Sequence, residues 1–230
     1  MKAQTRRQIL EVAEDILERD GVHAVSTRSV AAAAGIRAAS LYQLFGDMDG
    51  LLAALAVQAF DRYLAEKHRV APTGDPVGDM RRGWDVHVGF GLRHPALYLL
   101  MFATDRPGRR PPAAGRAHDL LLTFLDRVAA AGRLRVAPLI AASLCQAAAT
   151  GVTLSLIATP AEERDPQISA RMRDTVIASL ITDPPSITDP GLAARALALD
   201  AALTGADEAG LPLRPTETGL LRDWLHQLAR

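Results

Sequence analysis

A single cysteine, Cys145, in 230 residues excludes an intramolecular disulfide and a cysteine-built zinc cage, and fits a reducing compartment. Only ten residues are aromatic (two Trp, three Tyr, five Phe), and no stretch alternates apolar and polar residues, so a sandwich or barrel is not expected. Neither sign of charge is in excess, with 26 basic against 26 acidic side chains, which excludes a polycationic coat for nucleic acid. The sequence has no GxSxG, no HExxH, no glycine-rich phosphate loop and no paired catalytic carboxylates, so an enzyme is the weaker reading and no cofactor is expected. The first twenty residues carry nine charges and contain no signal-like apolar run, so a cytoplasmic protein is expected. Residues 136–161 form the one long chargeless stretch, 26 residues against the roughly 20 that cross a bilayer. Only eight of them are Leu, Ile or Val, beside Pro138, Gln146, three Thr and two Ser, so the stretch reads as a helix within a bundle, with no membrane partner.

Alanine is abundant, at 42 residues, and favours helices whose backbones approach closely. An all-α chain follows. Ile9, Leu10, Ala13, Ile16 and Leu17 recur at helical spacing, with Thr5 and Gln8 as a capping box and Gly21 after the end. A short helix follows from Ser26 or Thr27 to Gly35, another over about Ala38 to Leu44, and a fourth from Asp47 to His68 after a break at Gly46. Asp75-Pro76, Asp165-Pro166 and Asp189-Pro190 read as helix starts, each an N-cap acceptor followed by a proline preset for the first turn. Asp183-Pro184, running into Pro185, reads as a turn, and His94-Pro95 as a sharp bend between helices five and six. Further helices are expected at about Pro112–Ala131, Pro138–Ala158, Pro166–Thr182, Pro190–Leu203 and Pro215–Ala229.

Residues 21–52 have the layout of a helix-turn-helix, with a tight turn at Gly35-Ile36 between two short helices. In such a unit the second helix lies in the major groove while the first crosses the backbone. Arg37, Ser40 and Gln43, three residues apart, project from one side of that second helix, and Leu41 and Phe45 from the other.

The order Gly21, Val25, Ser26-Thr27-Arg28, Val30-Ala31, Ala34-Gly35-Ile36, Leu41-Tyr42, Phe45 and Leu51-Leu52 resembles the DNA-binding domain of the tetracycline-repressor (TetR) family over about residues 8–55. The resemblance implies an all-helical homodimer, with a helix-turn-helix domain at residues 1–50 and a larger helical ligand-binding and dimerisation domain at residues 51–230. It implies binding of double-stranded DNA at a palindromic operator and release by a small molecule. Carried over residue by residue, Arg28 and Arg37 become base-edge or phosphate contacts, Ser40 and Gln43 further major-groove readers, and Thr27 and Tyr42 phosphate contacts. Arg can grip guanine bidentately, Gln can bond adenine, and hydroxyls suit phosphate oxygens. This chain departs from the family at Met48, where a Lys is common at the start of helix four, and at Leu44, where a polar or aromatic residue is frequent. Residues 1–50 hold six basic and seven acidic side chains, a net of −1. Few phosphate ion pairs and a shallow salt dependence are therefore expected, with the acids of helix one facing away from DNA.

The C-terminal part offers residues for a mostly apolar small-molecule site. Met80, Trp84, His87, Gly91 and His94 fall along one stripe of helix five, followed by Tyr98, Met101 and Phe102, then Leu121, Phe124 and Leu125. Gln146, Thr150 and Thr153 form an uncharged polar row on helix eight. Trp84, His87, His94, Tyr98, Phe102, Phe124, Gln146 and Thr150 are the candidate ligand contacts. Taken singly, each is more readily ordinary core. His87 and His94 sit about 10 Å apart along the helix axis, too far for one metal ion. Cys145 reads as a small buried apolar residue.

A helix-turn-helix monomer reads too few base pairs to be selective, so two copies are expected to bind half-sites one helical turn apart. The chargeless helix at 138–158 and the next at 166–182, with Ile168, Met172, Val176, Ser179 and Leu180, are the expected dimer seam. The tail from Asp183 to Arg230 adds two helices, the last rich in Leu220, Leu221, Trp224, Leu225 and Leu228, expected to cover the C-terminal domain or reach the other subunit. Two rivals stand beside a ligand-released repressor. One is a constitutive DNA-binding protein with a filled core; the other is a helical enzyme whose N-terminal unit is vestigial.

Overall fold

The structure, a computed structural model, describes residues 2–103, 112–182, 191–206 and 211–229. Among them eleven α-helices form: α1 (Lys2–Asp20), α2 (Thr27–Ala33), α3 (Ala38–Phe45), α4 (Met48–His68), α5 (Pro76–Arg93), α6 (Pro95–Phe102), α7 (Pro112–Ala130), α8 (Pro138–Ala158), α9 (Ile168–Leu180), α10 (Gly191–Gly205) and α11 (Pro215–Leu228). The described residues contain no strand beyond an isolated antiparallel bridge between Leu134 and Ile181.

Most boundaries follow from the marked termini. Asp47 Oδ1 accepts from the Gly50 N–H at 2.7 Å and starts α4, and Asp75 Oδ1 accepts from the Val77 N–H at 3.1 Å and starts α5. Gly21, Gly35 and Gly46 close α1, α2 and α3 with φ of 82°, 65° and 80°, a region costly for any residue with a Cβ. Two expectations need correction. The helix α1 already runs from Lys2, so Thr5 is an interior residue and not a cap; Lys, Ala and Gln are good helix formers and extend the helix upstream. The helix α9 spans Ile168–Leu180 and not 166–182, because Asp165 accepts from the Gln167 N–H at 2.8 Å and holds Pro166 in a turn. At its other end Thr182 donates to the Arg133 carbonyl at 2.8 Å and pulls the chain into the bridge. The Asp183-Pro184-Pro185 turn and the Asp189-Pro190 helix start lie outside the described residues.

The chain forms two compact units. The first comprises residues 1–69, 86–117 and 153–164. Here α1 contacts α2, α4 and α6, α2 contacts α3, and α3 contacts α4. Ile9, Leu17, Val30, Leu41, Leu51 and Leu55 are buried there, and each Leu or Ile contributes about 2 kcal/mol of transfer free energy. The second unit comprises residues 70–85, 118–152 and 165–230. Its core gathers Val77 and Met80 of α5, Leu125, Val128 and Ala129 of α7, Ala141, Ala142 and Cys145 of α8, and Ile177 and Leu180 of α9. Asp79, fully buried, ties the loop after α4 to this unit: it accepts from the Thr73 N–H and hydroxyl and from Arg82 and Arg127. Burial alone would raise the Asp79 carboxyl, but these donors hold it below the usual carboxylate range. In the tail, α10 and α11 pair, and Asp200 accepts from Arg222 at 2.9 Å. Leu225 is buried in that hairpin, while Leu220, Trp224 and Leu228 are exposed.

Candidate nucleic-acid interface

The reading unit is assembled from short-range chemistry. Ser26 caps α2: its Oγ accepts from the Ser29 N–H at 3.1 Å, and Ser29 Oγ accepts in return from the Ser26 N–H at 2.9 Å. With that cap in place, Thr27 is not needed for it. The Thr27 hydroxyl instead lies 3.3 Å from the Tyr42 hydroxyl on α3, which brings together the two side chains assigned to phosphate. Ile36 N–H returns to the Ala31 carbonyl at 3.0 Å across the Gly35 turn. This sets the angle at which α3 leaves. The far end is equally constrained, because a Cβ at Gly50 would collide with the Phe45 carbonyl at the end of α3.

On α3, Leu41 is fully buried, whereas Gln43 is exposed and Ser40 half-exposed; Arg37, the extended residue that precedes the first turn of α3, is exposed too. Tyr42 is 49% exposed, so it does not serve chiefly as core beside Phe45. Arg28 on α2 is also exposed and pairs with no acid of α1 among the described residues. Residues 26–45 carry two charges, Arg28 and Arg37, both basic.

Four of the five acids of α1 have partners on α1, on α4 or at the start of α6. Glu14, 13% exposed, accepts from Gln58 at 2.8 Å and pairs with Arg62, both on α4. Glu18 lies 3.2 Å from His94 Nδ1 at the start of α6, Glu11 pairs with Arg7, and Asp20 with Arg19. Asp47 and Asp49, the other two acids of residues 1–50, lie just after α3, where Asp47 caps α4. Sequence reading missed Arg6, whose guanidinium lies 5.1 Å from the centre of the Phe45 ring and puts a third cation beside α3. The basic start of α1 was the available signal.

The candidate ligand residues divide between the two units. In the first, His87 is buried with both ring nitrogens engaged, Nδ1 2.9 Å from Tyr63 Oη and Nε2 2.7 Å from Tyr98 Oη. A neutral imidazole donates at one nitrogen and accepts at the other, so one tyrosine accepts and the other donates. Burial, aided by the charge of Lys67, lowers the His87 pKa to about 3, and burial raises the Tyr63 phenol. Phe102 stacks 4.6 Å from Tyr98 and 5.5 Å from His87. His94 is drawn to Glu18 instead. In the second unit Trp84 donates to Ser169 Oγ at 3.1 Å, and Gln146 Oε1 lies 3.2 Å from His118 Nδ1. Phe124 is half-buried against the core. Thr150 Oγ1 is buried without a hydrogen-bond partner. Tyr63 and His118 were not read from the sequence, because their partners are 24 and 28 residues away. Cys145 is buried, and its thiol is pushed up to about 11 by that burial, as suits an apolar core residue.

Residues 9–55 match the family described as bacterial regulatory proteins, tetR family. No curated protein matches the chain. Solved structures share its fold. A protein of unknown function from Rhodococcus sp. RHA1 is 27% identical with a TM-score of 0.64, over 77% of this chain and 96% of that one. A transcriptional regulator of the TetR/AcrR family from Thermobifida fusca YX-ER1 is 20% identical with a TM-score of 0.60, over 76% of this chain and 97% of that one. A TetR-family transcriptional regulator from Agrobacterium tumefaciens is 22% identical with a TM-score of 0.58, over 79% of this chain and all of that one.

Proposed function

We propose, on the premise that this chain belongs to the TetR family through its DNA-binding domain, that it is a homodimeric transcriptional regulator which a small, mostly apolar molecule releases from a palindromic operator. One observation carries the DNA reading. The helices α2 and α3 present Arg28, Arg37, Ser40 and Gln43 outward beside the Thr27–Tyr42 hydroxyl pair, on a stretch without acids. Arg37, Ser40 and Gln43 read base edges from the major groove, while Thr27, Tyr42 and Arg28 hold phosphates and fix the register. The test is selection of bound duplexes from a random pool by the full-length protein. A palindrome recovered by the wild type and lost with Arg37→Ala and Tyr42→Ala supports the reading; no enrichment contradicts it.

The dimer is proposed to form through α8 and α9. Leu139, Ile140 and Leu144 on α8 are 63%, 54% and 48% exposed, and Ile168 and Met172 on α9 are exposed too. The helix α8 is long and apolar enough to cross a membrane by length and composition. A subunit seam gives the same face a reason in water, because large exposed apolar patches are otherwise a liability. In this reading the protein is cytoplasmic, residues 1–50 read DNA and residues 51–230 bind ligand and dimerise.

For the effector, the proposed contacts are Phe124, Gln146 and Thr150, with Trp84, all within the second unit; His87, Tyr98 and Phe102 of the first unit are engaged with one another, and His94 with Glu18. The unpartnered Thr150 hydroxyl favours a ligand that supplies a hydrogen bond among apolar side chains. Ligand acts only through a difference in affinity between DNA-competent and incompetent forms, moving α4 and with it α3. One observation favours the constitutive rival: Tyr63, His87, Tyr98, Phe90 and Phe102 pack against one another in the first unit, mostly edge to face. A screen of apolar small molecules by thermal shift separates the two, since a molecule that both raises Tm and releases DNA supports the regulated form.

A further inference from the structure

The outward surface of α3 is not all polar. Leu41 is fully buried, Ser40, Leu44 and Phe45 are half-buried, and the exposed positions of the helix are Ala38, Ala39, Tyr42 and Gln43. At about 100° per residue, Ala39 and Gln43 stand two positions either side of Leu41, so each points about 160° away from it. Tyr42 is turned toward α2, its hydroxyl 3.3 Å from that of Thr27. That leaves Ala39 and Gln43, one helical turn apart, as the edge of α3 farthest from the core. The Gln43 carboxamide can match the two hydrogen-bonding atoms of adenine, but a lone methyl can match only another apolar group. In the major groove that group is the C5-methyl of thymine; the other three bases offer only hydrogen-bonding atoms there. From residue 39 to residue 43 the helix rises about 6 Å, close to two base-pair steps of about 3.4 Å, so both side chains can reach one half-site.

We propose that the Ala39 methyl packs against the C5-methyl of a thymine in each operator half-site, and that this apolar contact, beside an adenine held by Gln43, sets part of the operator sequence. The contact rests on the regulator reading above. Cytosine at that step turns an amine donor toward the alanine, and a purine turns its N7 acceptor, so each strands a polar group against a methyl. Uracil in place of thymine keeps every hydrogen-bonding atom and removes the methyl alone. One thymine in each half-site is therefore sensed through a group that takes no part in base pairing.

The test is equilibrium binding of the full-length protein, at fixed salt, to the palindrome selected by the wild type and to duplexes in which each thymine position in turn carries deoxyuridine in both half-sites. In the wild type, affinity falls at one such position by about fourfold per half-site, or about fifteenfold for the symmetric pair, the scale of one buried methyl in each. Ala39→Gly binds the thymine duplex more weakly and no longer distinguishes the uracil duplex from it at that position. Ala38→Gly, a control at the neighbouring exposed position with the same loss of helix propensity, keeps the full distinction. Ala39→Ser serves if the glycine variant does not fold: its hydroxyl meets the methyl, and the preference for thymine over uracil falls toward one. An undiminished distinction in the Ala39 variants, a distinction lost with Ala38→Gly, or no thymine that responds overturns the contact while leaving DNA binding intact. A selection that enriches no DNA overturns the regulator reading itself, and the contact with it.

Discussion

Acidification should attack the molecule at His87. In the folded chain its pKa is lowered to about 3, because the ring is buried between Tyr63 and Tyr98; in the unfolded chain it returns to the ordinary 6.5. Between those values the unfolded state binds one proton more than the folded state, so stability is present above pH 6.5 and falls as the pH drops. The slope from this one group is about 1.4 kcal/mol per pH unit, or about 2.7 kcal/mol between pH 6 and pH 4. The assay is urea unfolding of wild type and His87→Phe at half-unit steps over that range. Phenylalanine keeps the ring contacts but removes the imidazole partner of the Tyr63 and Tyr98 hydroxyls, about 1 kcal/mol for each hydrogen bond lost, so the variant starts less stable. The difference in slope is the diagnostic, because all other titrating groups are common to both proteins. Parallel curves for the two proteins would refute the reasoning, as would a His87 ring that titrates near pH 6.5 by NMR in the folded state.

Gly91→Ala drives a Cβ into the Tyr98 ring and the Thr153 methyl. The overpacking, about 1–3 kcal/mol, outweighs the roughly 1 kcal/mol gained in helix propensity, and a lower urea midpoint checks it. Asp79→Ala leaves Arg127, Arg82 and the Thr73 amide without their buried acceptor and should cost about 3 kcal/mol, read as a fall in Tm, with Asp79→Asn intermediate. Ile140→Arg with Leu144→Arg places charge on the exposed face of α8 and should yield a folded monomer by sedimentation equilibrium; an unchanged dimer would place the seam elsewhere. Operator affinity should fall only gently with salt, because few cations flank α2 and α3, and losing Arg28 should reduce the log–log slope by about 0.9.

What the sequence could tell depended on how far apart the interacting groups lie along the chain. Helix ends written into adjacent residues were legible: Asp47 before Gly50, Asp75 before Pro76, and the glycines at 21, 35 and 46. The α9 start was misplaced by two residues because an Asp-Pro pair serves an Asx turn as readily as a first helical turn. On α5 the stripe Met80, Trp84, His87 and Gly91 is indeed buried, since a 3.6-residue period fixes which positions share a face. Periodicity says nothing of what that face meets. His87 is held by Tyr63 and Tyr98, and His94, half-buried one turn further on, turns to Glu18, 76 residues away in sequence. In the reading unit the outward set on α3 was legible from its spacing, but the Thr27–Tyr42 hydroxyl pair depends on how α2 and α3 cross.

The most direct measurement is equilibrium binding of wild type and Arg37→Ala to the selected palindrome and to each of its single-base-pair variants, at fixed salt. If α3 reads bases from the major groove, the alanine variant loses about 1–3 kcal/mol of discrimination at one position in each half-site and retains it elsewhere. A uniform loss at every position, or none at all, would contradict a recognition helix at Ala38–Phe45.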